Sequence, residues 1–425
     1  MILLIAGLLS LLMIIDLFNR NILVGFFFAV LQVYIYIPFA ARCYDSALVD
    51  LVSHIFINDE DVLYKYLFFC YGQSIMLYLM FRVYVLRPVN ALQNSRKHFW
   101  DMHYVHRSLF VYNLIQICVA AFLFYSLLRS FGSLNYRDQG VVKSNIIWAI
   151  LLEYSFVFYL IDFLLYKRER RCIPLLLGVL IAIPAFVTLF KIGNRGVAMP
   201  ALCGYVCMLL TAKNFKISIR QIRTIVMVLF CMVAIIGFSQ FVRTNRGTES
   251  NAHEFSLSMI EDFFDIKVSL FQDYTVPGNS LMYCIEHNIV NPVFVFLSNC
   301  GNSIFFLDYP TIALDISGRI NTGMVFGVGG FLPVEGYYLC GYAGIIVLPI
   351  IIALFFRFYM KRLIAFDERP YNLFVGFLLC TFLCFNLARG QSYLLFKVLY
   401  MYVIPCCVLY RLALGYEKKH IIAHG

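Results

Sequence analysis

Long apolar runs recur along the whole chain, and short polar segments separate them. A helix needs about 17–25 mostly apolar residues to cross the hydrocarbon core of a bilayer. Because lipid cannot bond to backbone N–H and C=O groups, such runs predict helices, which satisfy these groups internally. We therefore expect an all-α polytopic membrane protein of about eleven transmembrane helices, near residues 2–18, 22–40, 62–81, 109–128, 145–166, 173–191, 197–212, 224–242, 342–360, 371–387 and 393–410.

One segment between predicted spans is far longer than the others, the loop over residues 243–341. Residues 255–274 place apolar side chains near one helical face and acidic ones largely opposite, which predicts an amphipathic helix. Pro277–Gly278–Asn279 is then predicted to interrupt the chain. The apolar run 293–307 has polar residues midway, so we expect it to be interfacial or re-entrant and not a crossing. The loop is thus expected to be large and partly helical.

Composition agrees with a lipid environment. Of 425 residues, 62% are hydrophobic and 14% are charged, and the mean hydropathy is +0.80. A soluble domain averages about 25% charged residues, so this chain has too little polar surface for a water-soluble fold. We expect a single integral membrane domain over residues 1–425 that contains the 243–341 loop.

Basic residues set the predicted orientation. The net charge of +10 falls in short clusters between apolar runs, which indicates cytoplasmic loops and not nucleic-acid binding. Alternate segments between the spans hold 21 and 11 basic residues. Since the richer set is cytoplasmic, we expect the N-terminus outside, the C-terminus in the cytoplasm and the 243–341 loop outside. The first apolar run lacks a basic leader and a small-residue cleavage site, so it is predicted to be a retained span.

Cysteines and scattered acidic residues are weaker candidates. No CxxC pair occurs, so a structural zinc site is not predicted, and Cys284 and Cys300 in the long loop are a candidate disulfide. Asp59–Glu60–Asp61 either holds a divalent cation or, in the favoured interpretation, forms the acidic first turn of a helix. Glu153 and Asp162 lie in a predicted span, where a carboxylate is either functional or an internal structural partner.

Four arginines are predicted at the outer ends of helices: Arg195 in GNRG, Arg243 and Arg246 in FVRTNRG, and Arg389 in NLARGQS. A guanidinium group binds phosphate oxygens in pairs and stays protonated, and a nearby glycine lets backbone approach a ligand. The alternative is that these side chains reach lipid headgroups or pair with loop carboxylates. Because all four are expected on one side of the membrane, we favour anion binding.

Residues 326–344, FGVGGFLPVEGYYLCGYAG, lead directly into the ninth predicted span and carry Glu335 near their centre. Dense glycine indicates close backbone packing or a ligand at the backbone, and the alternative is a simple turn at the start of the helix. Glu335 is the candidate acid–base group. His253 and His287, both in the long loop, are further candidates for a general base.

The order of these features resembles the O-antigen polymerase family (Wzy-type, oligosaccharide repeat-unit polymerases). The shared features are the Arg195–Gly196 turn, a basic inner hairpin, a span ending in Arg243 and Arg246–Gly247, and a long external loop. The similarity of order extends over residues 184–360. It closes on the pattern E-x-Y-x-x-x-G-x-x-G, formed by Glu335, Tyr337, Gly341 and Gly344.

The resemblance implies a GT-C-like glycosyltransferase in the inner membrane of a bacterium. Such an enzyme polymerises undecaprenyl-diphosphate-linked oligosaccharide units on the extracytoplasmic face, in O-antigen (lipopolysaccharide) or capsule-like polysaccharide biosynthesis. The growing chain is transferred to the next lipid-linked unit, and a chain-length regulator is an expected partner beside membrane lipid. The candidate catalytic residues are Glu335 and His253, and the candidate substrate-binding residues are Arg195, Arg243, Arg246, Arg389, Arg319 and Tyr337.

A departing diphosphate needs cationic stabilisation, which arginine can provide without a metal. We therefore expect a metal-independent enzyme without a cofactor. Two alternatives stay open. One is an O-antigen ligase, which transfers finished glycan to the lipid A core. The other is a polysaccharide flippase or transporter, which would carry ionisable residues along a midplane pathway and inverted internal repeats.

Overall fold

The computed structural model describes residues 2–44, 60–86, 109–130, 170–192, 277–303, 310–320, 331–365 and 404–413, together with residues 155, 158, 161, 162, 165, 166 and 227. All regular secondary structure in these ranges is helical. The longer helices are α1 (Ile2–Arg20), α2 (Ile22–Tyr44), α3 (Glu60–Met80), α4 (Phe110–Ser130), α5 (Cys172–Ile192), α6 (Pro292–Ser303), α7 (Ile312–Ile320), α8 (Leu332–Cys340), α9 (Gly344–Ala365) and α10 (Ile404–Ala413).

Among the described residues, three segments are long and apolar enough to cross a membrane: Glu60–Leu86, Phe110–Leu128 and Leu332–Phe358. Their outward faces carry large apolar side chains, and Phe68 and Leu128 are 66% and 74% exposed. A soluble protein rarely leaves so much apolar surface in water. The chain is therefore an all-helical, membrane-associated protein where the structure describes it, which confirms the coarse prediction.

Predicted spans coincide with helix wherever they fall among described residues. The six longest helices, α1 to α5 and α9, match the runs predicted at 2–18, 22–40, 62–81, 109–128, 173–191 and 342–360 to within two residues at each start and five at each end. The runs at 197–212 and 371–387 lie outside the described residues, as does the amphipathic helix predicted at 255–274. The total of about eleven spans and the GT-C-like arrangement stay predictions.

The chain divides into two compact units. One comprises Met1–Lys97 and Lys267–Met401, and the other comprises His98–Ile266 and Tyr402–Gly425. We call the first the outer-segment unit and the second the inner-segment unit. The names refer to positions in the sequence and not to sides of the membrane. The expectation of a single membrane domain over residues 1–425 stays a prediction.

In the outer-segment unit, α1 packs on α2 and α3 packs on α9. Phe27 and Phe356 contact each other in the core, with ring centroids 5.1 Å apart. A polar chain crosses the same helices: Ser10 Oγ donates to Gln32 Oε1 (2.8 Å) and Gln32 Nε2 donates to Ser74 Oγ (2.9 Å). Each interhelical hydrogen bond of this kind stabilises helix association by about 0.6–2 kcal/mol in a membrane.

A sharp corner joins α8 to α9. Gly341 has a φ of +57°, a left-handed conformation that favours glycine. A Cβ on Gly344 would lie 2.1 Å from the carbonyl oxygen of Gly336, so glycine is what lets the two backbones touch. The Leu332–Phe358 segment therefore bends at Gly341. The crossing helix is α9, whose 22 residues rise about 33 Å, and the glycines build the turn at its start.

The described part of the predicted external loop is also helical. Residues 277–286 are helical, so the prediction that Pro277–Gly278–Asn279 interrupts the chain is wrong for these residues. Tertiary packing overrides the local turn signal here, because Leu281, Met282 and Cys284 are fully buried. The 12 residues of α6 rise about 18 Å, less than a bilayer core. That residues 293–307 are interfacial or re-entrant, and do not cross the membrane, stays a prediction.

Candidate functional site

The structure describes four of the candidate site residues, and all four lie in the outer-segment unit: Glu335 and Tyr337 in α8, Arg319 in α7, and His287. The His287 side chain is half exposed, and its Nδ1 lies 3.1 Å from the carbonyl oxygen of Tyr283. The other predicted residues lie outside the described ranges, so their positions stay predictions: Arg195, Arg243, Arg246, Arg389 and His253.

Glu335 is a buried carboxylate in the first turn of α8, with 2% of its surface exposed. Its Oε1 accepts a hydrogen bond of 3.0 Å from Asn299 Nδ2 on α6. A negative charge in the first turn of a helix interacts favourably with the backbone N–H groups that lack partners there. Burial, an amide donor and a helix N-terminus are thus combined at one carboxylate.

The start of α6 explains how Asn299 is held. Asn291 precedes α6 and its Oδ1 accepts from the backbone N–H of Phe294 (3.1 Å), which is N-terminal capping. Pro292 follows at the first helical position, where its missing N–H costs nothing. The backbone N–H of Asn291 donates to the carbonyl oxygen of Tyr338 (2.8 Å). This bond ties the start of α6 to α8, so Asn299 and Glu335 belong to one connected assembly.

Tyr337 is buried and held on several sides. Its hydroxyl donates to Asn288 Oδ1 (3.3 Å). Its ring packs edge-on against Phe69 and Tyr342, with centroids 5.4 Å and 5.5 Å away. These contacts give Tyr337 a clear packing role between α3 and the α8–α9 corner. Its predicted role in substrate binding stays a prediction.

Arg319 is anchored by its own helix. Its Nε donates to Asp315 Oδ2 (2.8 Å), one helical turn earlier in α7. The same carboxylate oxygen accepts a hydrogen bond from the Tyr338 hydroxyl. The Asp315 carboxylate raises the pKa of Arg319 above its ordinary value, so the guanidinium stays charged. With 43% of its side chain exposed, Arg319 presents a cation that Asp315 partly offsets.

Helix α8 connects these contacts, because Glu335 and Tyr338 are three residues apart in it and so lie on one face. Glu335 contacts Asn299 of α6, and Tyr338 contacts Asp315 of α7. Three short helices therefore connect a buried carboxylate to an arginine through hydrogen-bonded neighbours. Chemically, this assembly offers a proton acceptor and a cation.

Asn299 and Asp315 were not predicted as site residues. Asn299 interrupts an otherwise apolar run, and that interruption is the signal that would have found it. For Asp315 the sequence shows only the spacing of four residues to Arg319, which is common on any helix.

The structure also describes the candidate disulfide and part of the candidate cation site. Cys284 and Cys300 are free thiols and do not form the candidate disulfide. Burial raises the pKa of the Cys284 thiol to about 12. Glu60 and Asp61 form the acidic first turn of α3, and Asp61 pairs with Lys65 (3.1 Å), as the helix-turn interpretation expects. Among the described residues, no group of three or more His, Cys, Asp or Glu side chains could hold a metal ion.

Comparison with known proteins found no matching family model, curated protein or solved structure. The resemblance to O-antigen polymerases therefore rests on the order of motifs in this sequence alone.

Proposed function

We propose that this protein is a membrane glycosyltransferase that polymerises undecaprenyl-diphosphate-linked oligosaccharide units on the extracytoplasmic face of a bacterial inner membrane. It has about eleven spans in a GT-C-like arrangement, and it acts without a metal. The observation that carries the proposal is Glu335, a buried carboxylate beside the start of a membrane-crossing helix, hydrogen-bonded to Asn299.

In the proposed reaction, the acceptor hydroxyl of the incoming lipid-linked unit displaces the Asn299 amide and gives its proton to Glu335. The hydroxyl oxygen then attacks the anomeric carbon of the growing chain. The bond from that carbon to the diphosphate breaks, and the diphosphate leaves with the electron pair. Arg195, Arg243, Arg246 and Arg389 stabilise the developing charge at the outer helix ends, and Arg319 and Tyr337 contribute to substrate binding. A positioned general base contributes roughly 10²–10⁴-fold to rate.

The test uses purified protein in lipid vesicles with lipid-linked repeat units as substrate. We expect a ladder of polymer without any ion gradient, and we expect it to persist in excess EDTA. Glu335→Gln keeps an oxygen that accepts from Asn299 but removes the base, so it should lower the rate by about 10²–10⁴-fold. Glu286→Gln is the matched control, because Glu286 is an exposed carboxylate in the same unit. Equal ladders from both variants would contradict the role of Glu335.

The two alternatives give different products. In cells lacking a ligase, attached glycan disappears completely, whereas in cells lacking a polymerase a single repeat unit remains attached. A flippase would move the lipid-linked unit across the vesicle membrane and leave its length unchanged. Loss of activity with EDTA and its return with Mg²⁺ or Mn²⁺ would direct attention to the Asp59–Asp61 triplet.

A further inference from the structure

Asp162 is a second buried carboxylate, and it lies in the inner-segment unit, within the span predicted at 145–166. The residue is 0% exposed. Its Oδ1 accepts a hydrogen bond from the Tyr112 hydroxyl (2.8 Å), and its Oδ2 accepts one from Gln116 Nε2 (2.8 Å). The same Gln116 nitrogen also donates to the carbonyl oxygen of Pro174 (3.2 Å).

The surrounding helices are shaped to hold this carboxylate. Tyr112 and Gln116 are four residues apart on α4 and so share a face. On α5, Gly178 lies so close that a Cβ there would be 2.0 Å from Asp162 Oδ2. Any side chain at this position would displace the carboxylate. Side chains and backbone from α4, α5 and the Asp162 segment therefore enclose a defined polar site.

Among the described residues, the site has more acceptors than donors. Its acceptors are the two Asp162 oxygens, Gln116 Oε1 and the Pro174 carbonyl, and its donors are the Tyr112 hydroxyl and the Gln116 amide. Among the described residues Gln116 Oε1 has no hydrogen-bond partner although it is buried. Both partners of Asp162 are neutral, and no described arginine or lysine forms an ion pair with it. An uncompensated negative charge among apolar helices is costly. One bound proton removes the charge and supplies a donor.

We propose that Asp162, Tyr112 and Gln116 form a proton-binding site inside the helix bundle, in which Asp162 is held as the neutral acid at neutral pH. Of the described groups in contact with Asp162, Tyr112 is the titratable one. From α5, the Pro174 carbonyl and Gly178 face the site. The inference is independent of the polymerase proposal, because it concerns the other compact unit and uses none of the same residues.

A neutral acid here has a definite effect on stability. The folded protein binds a proton that the unfolded chain, with its carboxyl in water, releases at neutral pH. The contribution of this group to stability is therefore greatest below the pKa of the unfolded carboxyl. It falls as the pH rises through the range in which the unfolded chain has released the proton and the folded protein still holds it. Asp162→Asn mimics the neutral acid, so it should keep the wild-type melting temperature at low pH and remove this part of the pH dependence.

The direct test is infrared difference spectroscopy on the full-length protein in lipid vesicles at pH 7. We expect a carboxylic-acid C=O band that shifts in D₂O and is absent from Asp162→Asn. Tyr112→Phe removes the hydrogen bond to Oδ1 and should shift this band without abolishing it. Asp162→Leu, which removes the carboxylate that accepts from the Tyr112 hydroxyl and from Gln116 Nε2, should lower the melting temperature by about 2–4 °C or more.

Three results would overturn the proposal. The first is that no carboxylic-acid band in the wild-type spectrum shifts in the Tyr112→Phe variant. This result decides the matter even if Asp162→Asn fails to fold. The second is an Asp162→Asn protein as unstable at low pH as Asp162→Leu. The third is stabilisation of the wild type by added sodium that Asp162→Asn loses, since this would identify a metal cation as the ligand in place of a proton.

Discussion

The two buried carboxylates, Glu335 and Asp162, have nearly equal burial but different surroundings. Glu335 is in the first turn of a helix, receives an amide hydrogen bond from a short neighbouring helix, and is linked through its own helix to the Asp315–Arg319 pair. Asp162 has two neutral partners, Tyr112 and Gln116, both on the longer helix α4, and it lies close against Gly178 of α5. Burial alone therefore does not define the role of a carboxylate. The groups around the carboxylate, which stabilise its charge or do not, decide whether it suits proton transfer in a reaction or holds a bound proton at neutral pH.

The largest effect should separate these two residues directly. Replacing each acid by its amide removes charge with almost no change in shape, so Glu335→Gln should lower polymerisation about 10²–10⁴-fold. Asp162→Asn should keep activity near the wild-type rate, because the native group is already neutral. Polymer length and rate, measured at equal protein amounts in vesicles, check both. The comparison fails if the two substitutions reduce the rate to a similar extent.

The next effect concerns the predicted phosphate-binding arginines. A charge-assisted contact to phosphate is worth about 1.5–3 kcal/mol, or one to two orders of magnitude in rate if formed at the transition state. We expect this loss for alanine at Arg195, Arg243, Arg246 and Arg389, and poor rescue by lysine, which lacks the planar fork. Arg319→Ala should cost less, because Asp315 already offsets its charge.

Glycan ladders at matched membrane expression provide the measurement for the arginine series. If three of the four predicted arginines tolerate alanine with full-length polymer, these side chains are membrane anchors and the diphosphate site is wrongly placed.

A third prediction compares the glycines of the two regions. Gly344→Ala and Gly178→Ala each place a methyl group within about 2 Å of another atom, so each should destabilise its unit by about 1–3 kcal/mol. Gly318→Ala is the control, because its Cβ meets nothing within 4 Å. Alanine there should be neutral or stabilising by up to about 1 kcal/mol. Thermal unfolding in detergent tests all three variants. A destabilised Gly318→Ala would show that the distance from an added Cβ to its neighbours does not predict the loss of stability.

The smallest effect concerns thiol reactivity. With a pKa of about 12, the Cys284 thiol is ionised to about one part in 10⁴ at pH 8, and the thiolate is the reactive form. Peptide-resolved mass spectrometry should therefore find Cys284 unlabelled by a maleimide until the protein is denatured. Cys172, which is exposed, should be labelled in the folded protein. Rapid labelling of native Cys284 would mean that the helical segment 277–286 opens.

Some features followed from the sequence because they depend on local or summed properties. The helices at α1 to α5 and α9 could be predicted, since about twenty apolar residues in a row leave the backbone no other partner in lipid. The acidic first turn of α3 could also be predicted, since Glu60 and Asp61 act on their own helix end. Glu335 was a candidate because it is a carboxylate in a glycine-rich segment beside a span.

Other features depend on residues distant in the chain. Asn299 is 36 positions from Glu335, and Tyr112 is 50 positions from Asp162. No spacing rule predicts such pairs. The helix over residues 277–286 overrode a local turn signal because its apolar side chains found a core elsewhere in the unit.

The sequence by itself determined that this chain is a helical membrane protein, because hydrophobic length and backbone hydrogen bonding act within each segment. It also determined which residue types are available for chemistry. Only the tertiary structure decided that Glu335 has an amide donor and that Asp162 has neutral partners. The physical reason is that the state of a buried carboxylate is set by groups within hydrogen-bonding distance, and folding brings those groups together from remote helices.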